Sequence, residues 1–391
     1  MNYLPVGFDR NTARRYAFEA TVKIAKSRLA TFLVNKRSIQ NLRTTDGNDI
    51  RAWDYGSDTT GNIRPPPKYS DYPKEIEEKV GKYEVKRPFV AEVQNAQLIG
   101  PKALTISTDG LFILENSLRS NHLFIRSLVE TLHYGMVPTR RSASRSMDVA
   151  VSLVGPWSGE FFHWFADWLP KLEGALKYTR QTGLKPTLIL PPEPPSWMTA
   201  SVKAIGYEAE DWIEWSGGRL NVSRLIVPSL RRGSAFGSSG IIHSPDGFQW
   251  VRDRVLENMD INVGWTPNKI YISRADAQER EVLNEGDLVN VLEEKGFKRL
   301  VLSNYSYSEQ VAIFANANCV VAPHGAGLVN IMYGDDLSVV ELFGSRVNSC
   351  YFVLARAFEH EYACSVASSR GEDLMVQADQ VTVLLDRINC N

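Results

Sequence analysis

Three short segments of the chain hold residue types whose spacing can do chemistry. The first is Val320-Val-Ala-Pro-His324-Gly325-Ala326-Gly327-Leu328-Val-Asn330, which closes a strand-like run and opens a helix-like one. Glycines at such a junction let the backbone approach a ligand, and the unpaired N–H groups of a first helical turn attract anions. Phosphate or pyrophosphate is the natural occupant, with His324 at the strand's end able to donate to a phosphate oxygen. The competing reading is a tight turn in which His324 is only a cap. The spacing is not G-x-G-x-x-G, so a dinucleotide is not implied.

The second segment pairs Arg274, directly after Lys269-Ile-Tyr-Ile-Ser273, with Glu341 inside Val339-Val-Glu341-Leu-Phe343. A guanidinium at a strand's carboxyl end faces a ligand crevice and can grip phosphate in a fork. Arg280 and the pair Arg231-Arg232 can add charge there. A carboxylate among apolar residues needs a partner; Glu341 either accepts from the hydroxyls of a ribose or sits on a solvent-facing edge.

The third segment is Gly159-Glu-Phe-Phe-His163-Trp164-Phe-Ala-Asp167-Trp-Leu-Pro170. On a helix, His163 and Asp167 share a face. In an aromatic-walled cleft either one suits a general base or a sugar-holding group, and Trp164 can stack on a sugar ring. A core helix with a satisfied His–Asp pair explains the same spacing. Asp335-Asp336 follow Gly334 in a turn and give little reason to expect a metal.

These segments need a scaffold. From Val149 the pattern is α/β: strands at 149–154, 187–190, 220–227, 269–273, 300–302, 319–322 and 338–343 alternate with helices at 159–180, 197–206, 284–296, 308–318 (capped by Ser308), 351–359 and 378–388. Such alternation predicts right-handed crossovers and parallel sheets, here two Rossmann-like domains facing a cleft. Short alternating runs after Val90 read as strands around a Thr108-Asp109-Gly110 turn, residues 44–85 read as loop, and Arg231–Gly240 as a Gly/Ser-rich hinge or active-site loop. Residues 9–43 are basic and can form either a helix lying on an anionic membrane surface or a solvated helix packed on its own domain.

With 391 residues, 44 Lys+Arg and 45 Asp+Glu, the chain has the length of two domains and no basic excess for nucleic acid. The four cysteines form no C-x-x-C pair, so thiols in a reducing compartment are expected rather than disulfides or metal clusters. The amino-terminal residues do not read as a secretory signal, and no run is apolar enough to span a bilayer.

The runs HGAGLVNIMYGDDLSVVELF, KIYISRADAQEREVLNEGDL and EFFHWFADWLPKL together resemble glycosyltransferase family 61, the DUF563 family, over about residues 90–365. The resemblance implies a GT-B fold and inverting, metal-independent transfer from a nucleotide sugar, usually UDP-linked, such as UDP-xylose or UDP-GlcNAc. It also implies a glycan acceptor, as in surface polysaccharide, capsule or lipopolysaccharide synthesis. Carried onto this chain, His324, Gly325, Ala326, Gly327 and Leu328 would hold the diphosphate, Arg274 would neutralise it and Glu341 would bind the ribose. Asp167 is then the expected base, with His163 its competitor, and Trp164, Arg231, Arg232 and His243 are the acceptor-side or hinge candidates. No cofactor is expected. The expected domains are an extension (1–85), an acceptor-side domain (86–230), a hinge and linker (231–266), a nucleotide-sugar domain (267–375) and a final helix (376–391). A cytoplasmic enzyme touching the inner membrane face through residues 9–43 is one expectation; a non-catalytic nucleotide- or glycan-binding protein on the same fold is the alternative.

Overall fold

The computed structural model describes residues 36–39, 50–66, 72–235, 241–388 and 390. Most of the basic 9–43 segment, and the tip of the Gly/Ser-rich loop at 236–240, lie outside them. In the first half the strands are β1 (Lys36–Arg37), β2 (Ile50–Asp54), β3 (Thr59–Ile63), β4 (Gly81–Val85), β5 (Phe89–Ile99), β6 (Leu104–Ile106), β7 (Phe112–Ile113), β8 (Ser146–Ser152), β9 (Thr187–Leu190), β10 (Trp212–Glu214), β11 (Arg219–Pro228), β12 (Arg232–Ala235) and β13 (Ile241–His243). In the second half they are β14 (Lys269–Ile272), β15 (Lys298–Leu300), β16 (Cys319–Pro323), β17 (Ser338–Phe343) and β18 (Glu361–Val366).

The first sheet runs β1-β7-β6-β5-β11-β8-β9-β10, with β2 on the other half of β5's edge. It is not the purely parallel sheet the sequence led us to expect. β11, β8, β9 and β10 are parallel neighbours, as helical crossovers require, but β5, β6 and β7 form an antiparallel meander. The turn before β7 needs only Gly110 at φ +81°, so no crossover helix intervenes. The second sheet, β15-β14-β16-β17-β18, is parallel throughout. Its strands are apolar on both faces because both are covered. Tyr271, Val321, Val340 and Leu342 face one way, under helices α6 (Glu285–Glu294) and α9 (Ala378–Arg387). Ile270, Val320, Val339 and Phe343 face the other way, toward the first half.

Two expectations about loops are corrected. Within 44–85, strands β2, β3 and β4 form, because Trp53 and Ile63 can each bury against a partner strand. Within 231–266 the described residues hold ordered elements: β12 pairs with both β4 and β13, and α5 (Pro245–Asn258) follows, capped by Ser244. Gly233 is there for close approach, since a Cβ would stand 2.0 Å from the Glu84 carbonyl oxygen. The halves also share one interior. A single apolar cluster joins Val151, Leu188 and Ile226 through Trp164 and Phe165 to Ile270, Val320 and Val339. Phe165 stacks on Tyr307 at 5.3 Å. Hinge closure through 228–247 would have to tear this cluster.

The reading of the cysteines is also corrected. The structure joins Cys319 of β16 to Cys390, with Cα atoms 6.0 Å apart, while Cys350 and Cys364 are free thiols. The pairing was invisible in sequence because α9 must fold back over the sheet before residue 390 reaches β16. At α7 (Tyr307–Asn316) the cap is Ser306, in a capping box with Glu309, and not Ser308. Among the described residues no helix is long and apolar enough to cross a membrane.

Candidate active site

A cleft of about 520 Å³ opens between the halves, walled by His163 and His243 on one side and by Arg280, His324, Gly325 and Ala326 on the other. The second wall is built from the carboxyl ends of β14, β16 and β17, the edge where parallel sheets bind ligands. His324 leaves β16, and its Nδ1 donates to Glu341 Oε1 at 2.5 Å. A carboxylate only accepts, so Nδ1 carries the proton and Nε2 is left for the cleft. Glu341 is fully buried, and its other oxygen accepts from Tyr362 Oη at 2.7 Å. It is therefore neither a ribose ligand nor an edge carboxylate; both oxygens are occupied, and it orients His324.

Beyond His324, Gly325 is extended (φ −170°) and begins a 3₁₀ helix, Ala326–Tyr333. A Cβ at 325 would come within 2.3 Å of Arg274 Nη1, so glycine there leaves that guanidinium its place against the backbone. At Gly327 a Cβ would stand 2.6 Å from Leu302 Cδ1, so a side chain there would push the end of that leucine aside. The Leu328 N–H is already bonded to Gly325 O at 3.0 Å and its side chain is buried, so Leu328 is not available to a ligand. The N–H groups of Ala326 and Gly327 precede the first bond of the helix and have no acceptor within it. Arg274 lies behind Gly325, its Nε and Nη2 holding Glu279 O at 3.2 and 2.9 Å. Burial, and then Arg280, lower its pKa from the usual value. Arg280, at φ +61°, is the guanidinium in the open wall.

The other wall is a helix that changes pitch. Helix α2 (Phe161–His163) passes into a π-helix at Trp164–Trp168, where Leu169 N–H bonds Trp164 O at 2.8 Å, and α3 (Lys171–Thr182) follows. Pro170 is the cause: it has no N–H, and its ring would clash with a carbonyl one α-turn back, so the helix widens before it. The single helix expected over 159–180 is thus interrupted at the site. His163 Nδ1 donates to Asp167 Oδ2 at 2.8 Å, and the imidazole stacks on Trp157 at 4.6 Å.

Asp167 does not reach the cleft. Its side chain is 0% exposed, and Oδ1 accepts from Arg232 Nε at 2.5 Å. His243 Nε2 stands 3.1 Å from the same oxygen, off the line of a hydrogen bond. Burial alone would raise the carboxyl's pKa; His243, the His163 hydrogen bond and Arg232 hold it well below the usual range. A carboxylate so stabilised is a poor base, which removes the sequence-based preference for Asp167 over His163. The hairpin β12–β13 supplies Arg232 and His243 as register partners, so the expected hinge is instead a clamp on Asp167.

Two other expected residues lie elsewhere. Trp164 is fully buried, with Nε1 donating to Ser201 Oγ at 2.9 Å, so it packs the shared core and offers no face to a sugar. Arg231 is buried against Glu173. Asp335 accepts from Arg252 Nη2 at 2.5 Å, and among the described residues no group of three or more His, Cys, Asp or Glu could hold a metal. Sequence reasoning missed Tyr351, whose ring lies 5.1 Å from that of His324, and Lys171. The Lys171 ammonium is 1% exposed and 4.1 Å over the Trp168 ring, and it has no hydrogen-bond acceptor. Burial pushes its pKa down to about 7.

Residues 161–340 match the family described as Glycosyltransferase 61. The chain is also similar to EGF domain-specific O-linked N-acetylglucosamine transferases. It is 29% identical to that of Gallus gallus over 142 residues, which cover 34% of this chain and 26% of the relative. The enzymes of Canis lupus familiaris and Pan troglodytes are 30% identical over 142 residues, covering 34% of this chain and 27% of theirs. The matched stretch thus spans about a quarter of the length of these relatives. The segment that carries His163, Asp167, Arg274 and His324 is thus the part of the chain that matches the Glycosyltransferase 61 family.

Proposed function

We propose that the protein is an inverting glycosyltransferase of GT-B type that moves a sugar from a nucleotide sugar, UDP-linked, to a hydroxyl of a glycan. One observation carries the reading: two histidines, each held at Nδ1 by a buried carboxylate, face one cleft from opposite walls. His324 Nε2, left without the proton, accepts from a hydroxyl of the nucleotide sugar, and the diphosphate lies against the N–H groups of Ala326 and Gly327 and the guanidiniums of Arg280 and Arg274. These donors are fixed before the reaction, and they stabilise the charge that grows as the bond from the anomeric carbon to the diphosphate breaks. His163 is the base. Asp167 fixes its tautomer, Nε2 takes the proton of the acceptor hydroxyl, and the oxygen attacks the anomeric carbon from the face opposite the diphosphate. Such a base is worth about 10²–10⁴-fold.

The relatives' name points to N-acetylglucosamine as a donor sugar to try first. The test is a thermal-shift screen of UDP and nucleotide sugars, followed by UDP release from whichever sugar raises the melting temperature. Retained activity in EDTA is the expected result for charge stabilisation by side chains alone. If UDP leaves the melting temperature unchanged, the donor site is wrong. UDP binding with no turnover of any sugar would favour the non-catalytic alternative.

A further inference from the structure

A second cavity, of about 250 Å³, adjoins the cleft and is not needed to hold the donor. It lies between the loop 155–160 and one face of helix α1 (Asn121–His133), which contributes Arg126 and Glu130. Glu160 lines both cavities. Trp157 lines the second, and its indole stacks at 4.6 Å on His163, which lines the first. The indole is therefore the partition between the proposed base and the second cavity.

The position of Trp157 is enforced. Its φ of +60° is one that a bulky L-residue rarely adopts, and such strain persists where the surroundings over-determine it, commonly at ligand clamps. Gly155 admits no side chain, because a Cβ would stand 2.3 Å from the Trp168 ring and 2.6 Å from Asn116 O. Trp168 Nε1 donates to Pro156 O at 3.3 Å. Ser158 Oγ donates to Gly155 O at 3.0 Å, and Glu160 N–H closes the turn on Trp157 O at 2.9 Å. A buried ring, one turn bond and two side-chain bonds thus hold one indole in a costly conformation beside the cleft.

The chemistry of the second cavity fits a neutral, hydroxyl-rich ring. Around the indole stand two cations, Lys102 and Arg126, and two carboxylates, Glu130 and Glu160. Arg126 Nε and Glu130 Oε1 are 3.4 Å apart, which keeps their outer atoms available to hydroxyls. The balance of charge selects against an anion, and the number of charged groups selects against an apolar ligand. Hydroxyls take fork-like bonds from such groups, while the C–H face of a pyranose packs on an aromatic ring.

We propose that this cavity is the acceptor subsite, binding a pyranose of the acceptor saccharide on Trp157 with its hydroxyls held by Lys102, Arg126, Glu130 and Glu160. As an acceptor site it rests on the transferase reading above, and it adds the place where a sugar of that acceptor is held and the residues that hold it. A sugar on the outer face of Trp157 lies one ring's thickness from His163, so a neighbouring hydroxyl can reach the base.

The test uses the full-length protein and saturation-transfer NMR with methyl glycosides of glucose, galactose, mannose, xylose and N-acetylglucosamine as probes, with and without saturating UDP. At least one glycoside should receive saturation on its ring-face protons, and UDP should not displace it. Trp157→Ala should weaken that glycoside roughly tenfold, with UDP binding as the control for folding. Arg126→Ala, on an exposed helix face, should weaken it severalfold with the loop untouched. The proposal is overturned if no glycoside binds a protein that does bind UDP, if binding survives both substitutions, or if UDP displaces the glycoside. Failure of UDP to bind, with the glycosides still binding on Trp157, would sink the transferase reading and leave the sugar site standing.

Discussion

Replacing Asp167 by Asn keeps the shape of the side chain and removes its charge, so it separates orientation of His163 from packing. Two effects are expected, of different kinds. The first is on stability. Asp167 is sealed at 0% exposure, and the Arg232 side chain beside it is only 12% exposed. Removing one partner of a buried pair costs about 3–5 kcal/mol, because the other charge stays buried. For a chain of 391 residues, with an unfolding entropy of about 0.8 kcal/mol/K, that lowers the melting temperature by about 4–6 °C. The carboxyl sits well below its usual 3.8 in the folded chain. Its share of stability is therefore present above about pH 4 and lost as pH falls toward the folded value. The Asn variant should flatten that acid limb. The second effect is on turnover. An Asn amide can donate to His163 Nδ1 and place the proton on Nε2, where it blocks uptake of the acceptor's proton. The rate constant kcat should fall by about 10²–10⁴, matching His163→Ala, and the double variant should fall no further. UDP binding should be unchanged, since Asp167 touches no donor group. The assay is UDP release from the nucleotide sugar selected by thermal shift, with UDP affinity measured by calorimetry. A stable Asn variant with kcat within about threefold of wild type would refute the dyad and the base together.

Four further outcomes are expected. Gly325→Ala should fold normally, because φ −170° suits any residue, but its Cβ would displace Arg274 Nη1 from 2.3 Å and weaken UDP roughly tenfold by calorimetry; unchanged affinity would take Arg274 out of the donor site. Glu341→Ala should leave Tyr362 Oη and His324 Nδ1 without their shared acceptor, abolish the UDP-induced thermal shift and cost about 2–4 kcal/mol in urea unfolding; a normal UDP shift would mean His324 needs no orienting group. Reducing the Cys319–Cys390 bond opens a loop with a sequence separation of 71 and should cost about 4 kcal/mol on chain entropy; a melting curve indifferent to reductant would count against the bond. Lys171→Met should stabilise the fold, most of all at low pH. The folded pKa of about 7 lies below the usual 10.5, so the cost of burying the ammonium is full below pH 7 and fades as pH rises toward 10.5. Urea melts at pH 6 and pH 10 should show a gain of the order of a few kcal/mol at the first and little at the second; equal gains would mean Lys171 is not buried as a cation.

The α/β class and the strands at 187–190 and 338–343 were legible because their apolar runs are short, β-branched and bounded by breakers. The strand-to-helix junction at 323–326 was legible because glycine and histidine punctuate an apolar run. What failed shares a cause. Strands β2, β3 and β4 are half-exposed and mix polar with apolar residues, and β2 and β4 pair with neighbours distant in sequence. The hairpin β12–β13 looked like a linker because Gly233 was read as freedom, when it marks contact with the Glu84 carbonyl. The π-segment needed Pro170 to be weighed against the turn before it, which a single helix over 159–180 leaves out. Ser306 in place of Ser308 is a displacement of two residues, and only Glu309, three beyond Ser306, distinguishes them.

The two carboxylates that looked most like ligands in the sequence are both buried behind histidines, and the geometry that hides them was partly in reach. In a parallel pair, side chains at opposed positions share a face, and a residue two further along shares it too. The register puts Glu341 beside Ala322, so His324 stands on the same face, one step diagonally away. A carboxylate buried at that point, among Val339 and Phe343, costs free energy unless every lone-pair direction finds a donor. His324 and Tyr362 are those donors. The same requirement explains the other wall: Asp167, four residues from His163, needs Arg232 because a helix alone cannot satisfy a second oxygen. The distant hairpin is what makes the His163–Asp167 pair affordable. Each carboxylate is withdrawn from the cleft so that a histidine can be held in one tautomer at its surface. The spacing of residues therefore located the His163–Asp167 pair but not the His324–Glu341 one, and it left open which member of each faces the cleft, because burial, which decides between carboxylate and imidazole, is set by strands that the local sequence does not contain.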